Sequence, residues 1–212
     1  MKVKICGMRE AANILAVAGF NPDFLGFIFY AKSPRFVGEV LSTELLRSLP
    51  ESIAKVGVFV DASLPELLAT TGQYSLDYVQ LHGHETPAYC RAVHTQGLHI
   101  IKAFSIDEQF DFSTLTPYEE VCDLFLFDTK GAHRGGNGQT FDWRVLAAYE
   151  GPTPFLLSGG LGLANIEELL RFHHPRLAGY DFNSLLEVAP GLKDVEATGQ
   201  LLTRLHEQRA DY

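Results

Sequence analysis

Cys6, in Lys4-Ile5-Cys6-Gly7, and Asp128, which closes the apolar run Leu124-Phe125-Leu126-Phe127, are a thiol and a carboxyl, each placed where a buried stretch gives way to a turn. A proton-shuffling reaction needs such a pair, one group giving a proton and the other taking one. A free thiol has a pKa of about 8.5 and a nearby cation lowers it, so Lys4, on the same strand face as Cys6, would favour the thiolate. Each residue also has a plainer reading. Cys6 alone would be a small buried hydrophobe, and Asp128 alone a helix cap or a loop ion pair.

Other groups suit an anionic small molecule. Ser158-Gly159-Gly160-Leu161-Gly162 follows an apolar run, and its glycines would let backbone N–H groups approach a phosphate closely. Asp181, Asn183 and Ser184 lie just after the next run and would complete the cradle. Arg35, on the loop Lys32-Ser33-Pro34-Arg35, offers a guanidinium fork to a carboxylate. Gly131 to Gly138 reads as a lid or simply as a flexible loop. His82 and His84 invite a metal, since residues two apart on a strand share a face, but ligands at other strand ends are wanting, and none is expected. Only Gly7 follows the first strand where a dinucleotide fingerprint needs several glycines, so no nicotinamide or flavin cofactor is expected either.

These groups need a frame. Eight apolar runs of strand length alternate with helix signals: Lys2–Cys6, Phe24–Phe29, Lys55–Val60, Tyr78–Leu81, His99–Phe104, Leu124–Asp128, Pro154–Ser158 and Gly179–Phe182. Ser63-Leu64-Pro65-Glu66 is a capping box for a helix ending at Gly72, and Thr86-Pro87 opens one that reaches Gly97. Ser105 with Glu108 opens a weaker one over Asp107–Tyr118, and further helices are expected over Phe141–Glu150, Asn165–Phe172 and Asp194–Gln208. Strand–helix alternation gives a parallel sheet, and eight units of about 26 residues fit a closed (β/α)8 TIM barrel of the α/β class better than an open sheet. No linker divides residues 1–212, so one domain is expected. In such a barrel the site sits at the C-terminal ends of the strands. Side-chain alternation then turns Val3, Ile5, Val79, Leu81, Phe125 and Phe127 toward the helices. Lys2, Lys4, Cys6, Gln80, His82, Leu124, Leu126 and Asp128 are left inside.

Composition agrees with an enzyme of small molecules. The formal charge of −9 and 46% hydrophobic residues fit a globular chain and argue against nucleic acid as a partner. Cys6, Cys90 and Cys122 form no CxxC pair, which suits a reducing cytoplasm. No signal peptide or membrane-spanning run is read from the sequence.

The blocks Lys4-Ile5-Cys6-Gly7-Met8, Lys32-Ser33-Pro34-Arg35, Val79-Gln80-Leu81-His82-Gly83, Phe127-Asp128-Thr129 and Leu157-Ser158-Gly159-Gly160-Leu161 recur in one known family. With Glu187 and Ala189-Pro190-Gly191-Leu192-Lys193-Asp194, they resemble phosphoribosylanthranilate isomerase of tryptophan biosynthesis. The resemblance implies a cofactor-free Amadori rearrangement of phosphoribosylanthranilate by a monomer or homodimer, with Cys6 as general base and Asp128 as general acid. It implies that Arg35 holds the anthranilate carboxylate, that Gly159 and Gly160 form the phosphate loop, and that His82 and Asp181 make supporting contacts. Gln80, Asn183 and Ser184 complete the expected substrate contacts. The related histidine-pathway isomerase would carry aspartate at position 6, and a non-catalytic phosphate-binding barrel would need neither thiol nor carboxyl. One departure stands out: Leu185 replaces a glycine of the family's phosphate loop.

Overall fold

All eight apolar runs form strands, because β-branched and aromatic residues pack well on a pleated surface covered on both sides. The structure, a computed structural model, describes residues 1–129 and 142–210. The strands are β1 (Lys2–Ile5), β2 (Phe24–Ile28), β3 (Ala54–Phe59), β4 (Tyr78–Leu81), β5 (His99–Ile106), β6 (Leu124–Thr129), β7 (Phe155–Leu157) and β8 (Leu177–Phe182). They pair in parallel in sequence order, and β8 closes onto β1 with Lys2 opposite Gly179 and Ile5 opposite Phe182. The expected closed barrel is therefore observed.

The alternation of faces also holds. Val3, Ile5, Val79, Leu81, Phe125 and Phe127 join the large apolar cluster between barrel and helices. A separate inner cluster of Phe24, Val56, Ile101, Ala103, Leu124, Leu126 and Leu156 fills the barrel itself. That inner plug leaves the interior beyond it, toward the C-terminal rim, for polar side chains.

The crossovers are less regular than their sequence signals. The helices are α1 (Ala11–Ala18), α2 (Thr43–Ser48), α3 (Leu64–Tyr74), α4 (Pro87–His94), α5 (Ile166–Arg171) and α6 (Val195–Ala210). Ser63 and Thr86 cap α3 and α4 by accepting from the backbone N–H of Glu66 and Tyr89. Gly72 does not stop α3. The roughly 1 kcal/mol cost of one helical glycine is offset by burial of Tyr74, and Ser75, at φ +50°, ends the helix instead. No helix opens at Ser105, because β5 continues to Ile106. The crossover after it is a 3-10 helix over Phe112–Tyr118, interrupted by Pro117, which lacks the N–H an α-helix would use. Instead of an α-helix over Phe141–Glu150, a 3-10 helix spans Trp143–Ala148, anchored by buried Trp143 and Leu146. The Gly131–Gly138 segment lies outside the described residues.

Two elements were not expected by name, α1 and α2, and a third is new altogether. β9 (Glu187–Ala189) and β10 (Leu192–Lys193) make an antiparallel hairpin between β8 and α6, outside the barrel sheet. Among the described residues no helix is long and apolar enough to cross a membrane.

Candidate active site

A cavity of about 520 Å³ opens at the C-terminal end of the barrel. Every candidate from the sequence lines it: Cys6, Arg35, Gln80, His82, Asp128, Gly159, Gly160, Asp181, Asn183 and Ser184. Tyr30, Lys32, Ser158 and Pro190 share the wall.

Cys6 follows β1, its N–H donating to Phe182 O at 2.8 Å across the barrel seam. Beneath it Lys4 is fully buried, its Nζ donating to Asp181 Oδ1 at 2.9 Å. Burial works against the Lys4 charge, but Asp181 and Cys6 outweigh it and hold the ammonium pKa above its ordinary value. For Cys6 the balance falls the other way. Burial pushes its thiol pKa up, and the opposing pull of Lys4 does not cancel it. Lys4 does pull the Cys6 pKa down, as expected from the sequence, but desolvation of the sulfur is the larger effect. Gly26 on β2 gives both groups room, since a Cβ there would lie 2.7 Å from Cys6 Sγ and 3.2 Å from Lys4 Nζ.

Asp128 stands at the end of β6, its Oδ1 accepting from the N–H of Thr129 at 2.9 Å. His82 Nε2 lies 3.4 Å from Asp128 Oδ2, and Gln80 Nε2 lies 3.1 Å from His82 Nδ1. The two ring nitrogens of His82 thus face Gln80 on one side and Asp128 on the other. β4 places Gln80, and His82 just past its end, so that the amide and the carboxyl of Asp128 together orient the ring. His84 does not share their face. β4 ends at Leu81, the chain turns, and His84 is 82% exposed beside Asp61. Among the described residues, no three His, Cys, Asp or Glu side chains gather as a metal set.

The glycine loop is shaped for close approach. Gly159 has φ +90° and Gly160 φ +64°, backbone states that other residues rarely adopt. A Cβ on Gly159 would sit 2.6 Å from the Thr129 N and 2.9 Å from Asp128 Oδ1. Asn165 pins the loop by accepting from Gly162 N–H and donating to Gly160 O. Leu185 needs no unusual backbone; it is half exposed, beside Gly162.

Arg35 is held from behind. Its Nε and one Nη donate to Glu187 at 2.6–3.0 Å, and Lys193 Nζ donates to Glu187 Oε1 at 2.6 Å and to Asn183 Oδ1 at 2.8 Å. Burial opposes ionisation of Glu187, but Arg35 and Lys193 outweigh it and hold its pKa below the usual value. Neither Glu187 nor Lys193 was singled out as a site residue from the sequence. The signal that could have found them is Pro190-Gly191, a hairpin turn that sets Glu187 opposite Lys193.

An apolar-plugged parallel barrel whose strand ends carry a thiol, a carboxyl, a fixed histidine and a glycine loop is a (β/α)8 barrel with its site at the C-terminal rim. Residues 3–203 match the sequence model of N-(5'-phosphoribosyl)anthranilate (PRA) isomerase. The chain belongs to that family. The N-(5'-phosphoribosyl)anthranilate isomerase of Parabacteroides distasonis is 46% identical over 198 residues, covering 92% of this chain and 89% of the relative. The crystal structure of phosphoribosyl anthranilate isomerase from Thermotoga maritima superposes with a TM-score of 0.84 at 31% identity, covering 98% of this chain and 99% of that one. A PRA isomerase in complex with reduced 1-(o-carboxyphenylamino)-1-deoxyribulose 5-phosphate gives 0.81 at 29% identity, with coverage of 98% and 99%.

Proposed function

We propose that this chain converts N-(5'-phosphoribosyl)anthranilate to 1-(2-carboxyphenylamino)-1-deoxyribulose 5-phosphate, the isomerisation step of tryptophan biosynthesis. The observation that carries this reading, beside family membership, is that Asp128, Cys6, Arg35, Gly159 and Gly160 all line one cavity.

Asp128, acting as the general acid, gives a proton to the ribose ring oxygen as the bond from that oxygen to the first carbon breaks. The anilino nitrogen supplies the electron pair and becomes an iminium. Cys6, as thiolate, takes the proton from the second carbon; the C–H electrons form an enamine and quench the iminium charge. The enol proton then leaves to Asp128, the first carbon is protonated by the Cys6 thiol, and the ketone results with both groups restored. Lys4 is the counter-cation for the thiolate. Gln80 Oε1, buried with no hydrogen-bond partner among the described residues, is an acceptor for a sugar hydroxyl. Arg35 takes the carboxylate, and Gly159, Gly160, Asn183 and Ser184 surround the phosphate.

The test is loss of substrate fluorescence with purified protein and no added metal or nucleotide. Positioned acids and bases contribute roughly 10²–10⁴ each, so Cys6→Ser and Asp128→Asn should each lower kcat by at least about tenfold. A wild type that binds phosphate compounds but does not turn over the substrate would favour a non-catalytic barrel. Unchanged kcat in either variant would remove that residue from its role.

A further inference from the structure

The Arg35 fork does not stand alone in the cavity wall. Its Nε lies 2.9 and 3.0 Å from the two oxygens of Glu187, and one Nη lies 2.6 Å from Oε2. Glu187 is fixed in turn by Lys193 Nζ at 2.6 Å and by the Gly191 N–H at 3.2 Å. Lys193 is itself fully buried, and its backbone exchanges two hydrogen bonds of 2.8 Å with the side chain of Asn13 on α1. The side edge of the guanidinium is therefore occupied. Among the described residues its end edge, Nη1 with the second Nη2 proton, remains for another acceptor, and the two edges lie in one plane at a fixed angle.

Charge adds to the geometry. Arg35, Glu187 and Lys193 together carry one net positive charge in a wall where Arg35 is 11% exposed and the other two less. One carboxylate on the end edge neutralises the set.

We propose that Glu187, braced by Lys193, is a positioning residue that sets the plane of Arg35 and thereby makes the enzyme select substrates bearing an ortho-carboxylate on the aryl amine. This rests on the function proposed above and adds a residue that determines its specificity. A different role for Glu187, mere charge balance, makes the opposite prediction. Removing its negative charge would leave two cations near the substrate anion and tighten carboxylate binding. Positioning predicts weaker binding, because a fork out of plane loses its paired hydrogen bonds.

The experiment compares phosphoribosylanthranilate with the same sugar phosphate condensed with aniline, which lacks the carboxylate. Glu187→Gln keeps size and removes charge, whereas Glu187→Asp keeps charge and loses reach. In both, the preference for the carboxylate substrate, the ratio of the two kcat/KM values, should fall by about tenfold, with the loss chiefly in KM. Damage to the fold would lower both substrates together and leave the ratio unmoved. An unchanged or increased ratio in both variants overturns the inference while the proposed function stands. A wild type that turns over neither substrate overturns the function and this inference with it.

Discussion

Cys6, the base of the proposed reaction, is protonated in its resting form. Burial raises its pKa above the ordinary thiol value despite Lys4, so the reactive thiolate is scarce at neutral pH and grows as pH rises. Alkylation of Cys6 by iodoacetamide, followed by mass spectrometry of its peptide, should keep accelerating beyond pH 9 in the free enzyme. Lys4→Met should move the curve further to alkaline pH, since the cation opposing burial is gone. A rate already level by about pH 8 would contradict the assigned environment. The residue identities of this site were legible because side-chain alternation on a strand needs only the strand's position. Lys4, Gln80 and Asp128 were placed inside on that basis. The ionisation of Cys6 was not legible, since it depends on how deep the sulfur lies, which no local spacing reports. His84 failed for the related reason that alternation ends where the strand ends.

At the scale of elements, strands were easier to read than the segments between them. A run such as Leu124-Phe125-Leu126-Phe127 carries its own signal, whereas α1 has no side-chain cap at Glu10 and is made helical by what Ile14, Val17 and Ala18 pack against. The 3-10 crossovers likewise follow from tertiary anchoring of Leu115 and of Trp143 and Leu146 over short spans. The β9–β10 hairpin is the element that matters most for the site, because it carries Glu187 and Lys193 to the back of Arg35. Its fastening is Asn13, whose amide donates to Lys193 O and accepts from Lys193 N. Asn13→Leu fills similar space but leaves both backbone groups unpaired in a buried setting, at about 1–3 kcal/mol each. Chemical denaturation should show a loss of at least about 2 kcal/mol. An unshifted midpoint with an unchanged slope would mean that the hairpin is held by something other than α1.

Across the whole molecule, the order of eight alternating units was enough to specify closure, because short right-handed crossovers between parallel neighbours leave few other topologies. What order could not show is that the barrel interior is divided. Phe24, Val56, Ile101, Leu124, Leu126 and Leu156 make an apolar plug, and beyond it Lys4 and Asp181 form an ion pair with side chains 0% and 5% exposed. Such a pair is a poor way to stabilise a core, since desolvation of both charges cancels much of their attraction. In the proposed reaction the pair has a use, since it holds a cation beneath Cys6. Lys4→Met alone leaves Asp181 buried without its cation and should cost about 3–5 kcal/mol of stability. Adding Asp181→Leu removes the stranded charge as well, so the double variant should return to within about 1 kcal/mol of wild type or exceed it. Denaturant titration of the three proteins reads this directly, with turnover lost in the double variant despite its restored fold. A double variant no more stable than Lys4→Met would show that the ion pair holds the barrel together in its own right, and that stability and catalysis here draw on the same two charges.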